Sequence, residues 1–167
     1  NIYNLVFALA CLDQIEKDIF LDKEHIQSID LPAGRAKIIS KNNKNILIDY
    51  AHNFGGIQAI VNSVSNIYQD LITIYGCGGE RDSSEREKIM KFTCTNSRKV
   101  IFTSDNSRNE SFQSILDDSI KDHEYSNLIV EADRKQAIKH GIETLKEDEI
   151  LLILGKGHEE FQEINGT

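Results

Sequence analysis

Residues 149–160 read EILLILGKGHEE, an unbroken apolar run from Ile150 to Leu154 that gives way to glycine, lysine, histidine and glutamate. A run this short has the length of a strand. Because it is apolar at every position, and does not alternate, it suits a strand buried on both faces of a parallel sheet. The same construction recurs upstream. ILID (46–49), LITIYG (71–76), KVIFTS (99–104) and NLIVEA (127–132) join EILLILG (149–155) as five strand-like runs, four of them nearly continuous apolar stretches. Between them lie segments long enough for helices, at 56–68, 85–95, 111–121 and 134–146. Such alternation predicts an α/β fold: a Rossmann-like, open, mostly parallel sheet with helices on both faces. Ahead of it, KIISKNNKNILIDY predicts a hairpin turning around Asn42-Asn43-Lys44-Asn45. At the start of the chain, Ile2, Leu5, Val6, Leu9 and Leu12 have helical spacing and predict a helix over 1–17. The only proline, Pro32 in IDLPAGR, marks the linker between that helix and the sheet.

Bulk properties narrow the classes of function. A chain of 167 residues holds one ordinary domain and a fragment of a second. With 40% hydrophobic and 28% charged residues, it has the balance of a globular protein. The net charge of −8 argues against binding a phosphate backbone non-specifically, so no nucleic-acid partner is expected. The apolar start NIYNLVFALACL lacks the basic residues and cleavage site of a signal peptide and is too short to span a bilayer. Position 1 is not Met, and the chain is expected to begin inside a longer protein. Cys11, Cys77 and Cys94 are odd in number and far apart, which predicts neither a disulfide framework nor a zinc site, and a reducing cytoplasm is the expected setting.

In open α/β sheets, ligands bind outside the carboxyl ends of the strands. The loops there are DYAHN, GCGGERD, SDNSRNE, ADR and GKGHEE, each rich in charge or glycine. GCGGERD has neither the G-x-G-x-x-G of a dinucleotide fold nor the G-x-x-x-x-G-K-[ST] of a P-loop, although its glycines permit close backbone approach. Arg81 and Asp82 form either a surface ion pair or part of a carboxylate-recognising loop, and the latter is favoured. In SDNSRNE, Asn106 or Ser107 could serve as a helix N-cap, but capping does not account for Arg108. Asp, Asn and Arg within four residues are the groups that would recognise a zwitterionic amino acid. ADRKQAIKH reads as a plain helix start with Asp133 as its cap. His52 lies three residues beyond Asp49 with no nucleophile to activate, and the five histidines lack metal-ligand spacing, so no metal site and no catalytic nucleophile are expected. Cys77 is read as a small residue in a tight loop.

Taken in order, GR (34–35), DYAHN (49–53), GCGGERD (76–82), DNSR (105–108), DR (133–134) and GKGHE (155–159) resemble the C-terminal domain of the Mur ligase family, in particular its diaminopimelate-adding members. NIYNLVFALA resembles the FN-x-x-N-x-x-A-A helix near the end of that family's central ATPase domain. The resemblance implies two parts: residues 1–33 as the tail of the central domain with its linker, and 34–167 as the amino-acid-binding domain. It implies an ATP-dependent amide ligase that adds meso-diaminopimelate to UDP-MurNAc-L-Ala-D-Glu through an acyl phosphate, as a cytoplasmic monomer. ATP and Mg2+ would be held mainly by the central domain, leaving the isolated chain inactive and without a catalytic residue.

Carried over by motif, Arg35, Asp49 and His52 would face the nucleotide. Arg81, Asp105, Asn106, Arg108, Gly155 and Glu159 would hold diaminopimelate, arginines on its carboxylates and acidic groups on its ammonium. Two positions depart from the family. Ser107 replaces the proline of DNPR, which frees φ. Phe54 replaces the proline after DYAHN, which removes a helix-start preference and is expected to put an aromatic near the nucleotide edge. The alternatives are an L-lysine-adding ligase, a folylpolyglutamate- or cyanophycin-type ligase, and a non-catalytic nucleotide-binding module of the same fold.

Overall fold

The computed structural model describes residues 2–15, Glu24 and 32–164. The chain divides into two compact units, Asn1–Leu31 and Pro32–Thr167. In the first, helix α1 (Ile2–Ile15) follows the expected periodicity, and the last two positions of the expected helix lie outside the described residues.

The second unit begins with the hairpin of β1 (Lys37–Lys41) and β2 (Lys44–Asp49). Asn42 and Asn43 turn it with φ of 52° and 57°, the left-handed pair that a two-residue hairpin needs and that asparagine tolerates. There follow α2 (Phe54–Ser65), β3 (Leu71–Tyr75), α3 (Arg86–Asn96), β4 (Lys99–Phe102), α4 (Phe112–Ile120), β5 (Leu128–Val130), α5 (Arg134–Thr144) and β6 (Ile150–Leu154). The sheet order is β1-β2-β6-β3-β4-β5. Among the described residues only the β1–β2 pair is antiparallel.

The chain's last strand therefore lies in the interior of the sheet, between β2 and β3. Every residue of β6 and β3 is buried, as their continuous apolar sequences require. β5 departs from that expectation. As an edge strand it leaves Leu128 and Ile129 half-buried and Val130 exposed. β2 is also only partly buried, because the helices are unevenly shared between the faces.

One face packs Leu47, Tyr75, Phe102 and Leu152 against Ile57 and Val61 of α2, Met90 of α3 and Ile115 of α4. The other packs Ile72, Ile74, Ile101 and Leu151 against Ala137 of α5. Beside α5 an apolar groove of about 540 Å³ stays open over Ile39, Ile46 and Ile48.

Helix starts fix where the loops end. The Asn53 side chain accepts from Gly56 N at 2.9 Å and caps α2. Asp133 caps α5, accepting from Lys135 N and Gln136 N. α4 is capped by Ser111, which places the whole DNSR stretch in the preceding loop and leaves its side chains free of capping duty.

Candidate functional site

At the carboxyl edge of the sheet, the loops after β2, β3, β4 and β6 enclose a cavity of about 350 Å³. β6 ends at Leu154 and turns at Gly155 with φ of 107°, a conformation that L side chains rarely adopt. A Cβ on Gly155 would stand 2.7 Å from Asp105 Oδ2, so glycine is also what admits the Asp105 carboxylate. Asp105 is buried. Its Oδ1 accepts from Asn106 N at 2.7 Å, while Oδ2 has no hydrogen-bond donor among the described residues. The nearest cation is the Arg134 guanidinium at 4.0 Å, an ion-pair distance but too long for a hydrogen bond. Asp105 is one of the residues that line the cavity, and this buried carboxylate oxygen keeps its acceptor capacity unused.

Glu159 lines the same cavity and sits in a connected network. Its Oε1 accepts from Tyr50 Oη at 2.8 Å, and its Oε2 from Lys156 Nζ at 2.7 Å and Asn106 Nδ2 at 3.2 Å. Lys156 is buried, and its Nζ also donates to Asn106 Oδ1 at 2.7 Å. The hydrogen bond from Lys156 holds the Glu159 carboxyl down at about 2, against the upward pull of burial. That same carboxylate pushes the Tyr50 hydroxyl above its ordinary range, chiefly through their hydrogen bond. The cation beside Glu159 in the unliganded chain is thus the protein's own lysine.

The arginines bring positive charge to the other side. Arg81 is exposed, and no acid pairs with it among the described residues. Asp82 does not pair with it and instead accepts from Ser84 N at 2.9 Å, capping a single 3-10 turn. Arg108, at φ of 50°, donates from one terminal nitrogen to Gly79 O at 2.6 Å and meets Glu163 with its Nε at 3.2 Å.

Beneath the glycine loop lies Arg86, which donates to Glu110 and Asp118 at 2.8 Å each and to Gly78 O at 3.1 Å. Glu110 in turn accepts from Glu80 N. At Gly79 a Cβ would fall 1.9 Å from Ser107 O, so the GCGGERD and DNSR loops stack backbone to backbone.

The nucleotide-facing candidates lie to one side. Asp49 is buried, its two oxygens accepting from Ala51 N and Ala36 N at 2.7 Å each, so it fastens the turn after Arg35 to the end of β2. The exposed Arg35 guanidinium stands 4.7 Å from the centroid of the Tyr50 ring. His52 Nδ1 lies 3.0 Å from Tyr50 O, which can only accept. Nδ1 is therefore the donor in that hydrogen bond. Phe54 does not face this edge as expected: its ring packs on Phe92 at 5.7 Å, with the α2–α4 core, and its N–H, which proline would lack, donates to Glu85 at 3.3 Å.

Of the nine residues singled out in the sequence, Arg81, Asp105, Asn106, Arg108, Gly155, Glu159 and His52 line the one cavity. Arg35 and Asp49 adjoin it through Tyr50. Sequence reasoning left Tyr50, Lys156 and Arg134 without a site role inside the motifs that hold them, and missed Arg86. Arg134 was assigned to the helix start, yet it reaches back to Leu154 O at 2.7 Å and toward Asp105. Burial pushes the Cys77 thiol up to about 12, which suits a packing residue and not a nucleophile. Among the described residues no group of three His, Cys, Asp or Glu side chains could hold a metal ion, and no helix is long and apolar enough to cross a membrane.

An open, mostly parallel sheet with β6 inserted between β2 and β3, and a cleft lined by charges of both signs at its carboxyl edge, defines an α/β domain with a polar pocket where its loops meet. The Mur ligase, glutamate ligase domain matches residues 34–157, and the chain belongs to that family.

Two diaminopimelate-adding ligases, each named UDP-N-acetylmuramoyl-L-alanyl-D-glutamate–2,6-diaminopimelate ligase, are among its relatives. That of Clostridium perfringens (strain 13 / Type A) is 34% identical over 97% of this chain and 34% of its own length. That of Rickettsia bellii (strain RML369-C) is 43% identical over 78% of this chain and 28% of its own. A solved structure of a ligase of that name superposes with a TM-score of 0.76 at 30% identity, over the whole of this chain and 35% of the other. A folylpolyglutamate synthase from Thermotoga maritima, at 23% identity and a TM-score of 0.60 over 82% of this chain and 31% of its own, shares the fold. The chain spans about a third of the length of the curated relatives it matches.

Proposed function

We propose that this chain is the amino-acid-binding part of an ATP-dependent amide ligase that joins meso-diaminopimelate to UDP-MurNAc-L-Ala-D-Glu in peptidoglycan synthesis. Residues 1–33 are then the tail of the central ATPase domain with its linker, and 34–167 the amino-acid-binding domain of a cytoplasmic, monomeric enzyme. The observation that carries the reading is Asp105, which lines the cavity together with Arg81 and Arg108 and whose buried Oδ2 has no donor among the described residues. A buried acceptor left unsatisfied costs about 1–3 kcal/mol, and a substrate ammonium would relieve it. Glu159 offers a second carboxylate for that cation, and the arginines offer forks for carboxylates. L-Lysine has an ammonium but lacks the second carboxylate, so it would leave one guanidinium without its partner.

ATP, held with Mg2+ mainly by the rest of the enzyme, would supply the phosphoryl group that converts the glutamate carboxylate into an acyl phosphate with loss of ADP, and phosphate would then leave when the amine attacks. The described residues fit a share of nucleotide binding but not of metal binding. Arg35 is exposed with no acidic partner among them and could meet a phosphate, while the exposed His52 stands against the same Tyr50 ring. The task of this chain is to bind the incoming amino acid and orient its amine, which lowers the barrier by positioning. The chain by itself is expected to be inactive.

The test is phosphate release by the full-length protein with UDP-MurNAc-L-Ala-D-Glu and ATP, comparing meso-diaminopimelate with L-lysine. Activity with meso-diaminopimelate, and a KM for it that rises at least tenfold in Arg108→Ala while the KM for ATP holds, is expected. Activity with lysine alone, or an equal rise in both KM values, refutes the assignment.

A further inference from the structure

We propose that Tyr50 is a positioning residue that couples the two halves of the site, its hydroxyl setting Glu159 in the amino-acid pocket while its ring seats Arg35 on the nucleotide-facing side. The inference rests on the functional reading above and adds a residue and a linkage to it.

Four contacts of one side chain carry it. Tyr50 Oη donates to Glu159 Oε1 at 2.8 Å, across 109 positions of sequence. The Arg35 guanidinium stands 4.7 Å from the ring centroid, within range of a cation–π contact. His52 meets the ring edge-on at 5.2 Å, and His158 stacks on it at 6.1 Å. A Cβ on Gly157 would come within 3.1 Å of Tyr50 Cβ, so the loop after β6 closes on the ring.

Tyr50 takes no part in either apolar cluster of the sheet, and these partners all belong to the site. A tyrosine serving only stability would be expected to pack into one of them. The ring and hydroxyl form a rigid body with two torsions. A cation held on the face therefore restrains where the hydroxyl points. A phosphate that orders Arg35 orders the ring, and through the hydroxyl it orders Glu159 for an ammonium. Linkage makes the effect reciprocal, so a bound ammonium raises nucleotide affinity by the same factor.

The experiment uses the full-length protein, titrated calorimetrically with meso-diaminopimelate in the absence and presence of a non-hydrolysable ATP analogue, and with the analogue in the absence and presence of meso-diaminopimelate. In the wild type, each ligand is expected to tighten the other by the same factor of about five or more. Tyr50→Phe keeps the ring and removes the hydroxyl. It should weaken meso-diaminopimelate about tenfold, the worth of a hydrogen bond to a charged group, leave analogue binding within about twofold, and reduce the coupling factor to near one. Tyr50→Leu removes the ring as well and should weaken the analogue too. Tyr50→Phe with unchanged coupling, or with kcat lowered and both affinities intact, overturns the inference.

A ligand-free readout separates this from the choice of substrate. Arg35→Ala and Glu159→Gln should be non-additive in unfolding when Tyr50 is present and additive in the Tyr50→Phe background. Additivity in both backgrounds also overturns the role of Tyr50. If the wild type binds no meso-diaminopimelate while the non-additivity persists, the substrate assignment fails and the coupling stands.

Discussion

Replacing Lys156 with methionine removes one charge from the centre of the site and little volume. Lys156 Nζ donates to Asn106 Oδ1 and to Glu159 Oε2, both at 2.7 Å, and the lysine and glutamate side chains are only 7% and 21% exposed. Breaking a buried ion pair from one side costs about 3–5 kcal/mol, because the remaining charge stays desolvated. Glu159 would keep two donors, Tyr50 Oη and Asn106 Nδ2, and its partial exposure lets water in. The expected loss is therefore about 2–3 kcal/mol, just below that range. For a unit of this size it amounts to a fall in Tm of about 8 °C. Urea unfolding of the 167-residue chain, followed by far-ultraviolet circular dichroism, measures it. The pair hypothesis makes a second demand: Lys156→Met combined with Glu159→Gln should lose less than Lys156→Met alone, since no buried charge is then stranded. A single variant within about 0.5 kcal/mol of wild type, or a double variant losing the sum of the singles, refutes the reasoning.

Two further outcomes follow from the same network. The Glu159 carboxyl is held at about 2 in the folded chain against an ordinary 4.5. Its contribution is thus complete above the ordinary value, erodes as pH falls below it, and is gone once pH drops through the folded value. The unfolding free-energy difference between wild type and Glu159→Gln should therefore be constant from neutral pH to about 4.5 and shrink toward pH 2, and a difference flat over that whole range contradicts the ion pair. Gly155→Ala puts a Cβ 2.7 Å from Asp105 Oδ2 at φ of 107°, and should cost about 2 kcal/mol of stability and abolish measurable meso-diaminopimelate binding in the full-length protein. Binding retained at wild-type strength would mean that the Asp105 carboxylate is not part of the pocket.

Much of this architecture is legible in one dimension because its signals are local. ILLIL and LITIY declare themselves as doubly buried strands by being apolar at each position, and Asn42-Asn43 declares the hairpin. The order of the sheet is not local. Nothing within EILLILG says that it inserts between β2 and β3, and the edge position of β5, which exposes Val130, follows only from that order. The site divides the same way. Loops at strand ends point to Asp105, Arg108 and Glu159, since fold class alone says where ligands collect. Arg86 goes unnoticed and Lys156 unassigned in the sequence because a charged residue is expected at the surface, and their burial depends on partners 24 and 50 positions away. Phe54 was misplaced for a related reason. Its distance from the nucleotide motif is short in sequence, but the first turn of α2 swings its ring onto Phe92.

Arg86 also has a bearing on binding thermodynamics. By gripping Gly78 O, Glu110 and Asp118 at once, with Glu110 passing on to Glu80 N, it welds the GCGGERD and DNSR loops and the end of α4 into one body. The ordering of those loops is met when the chain folds, not when a ligand arrives. Association at this edge then forfeits little backbone freedom, and a ligand needs fewer favourable contacts to reach a given affinity than it would on floppy loops.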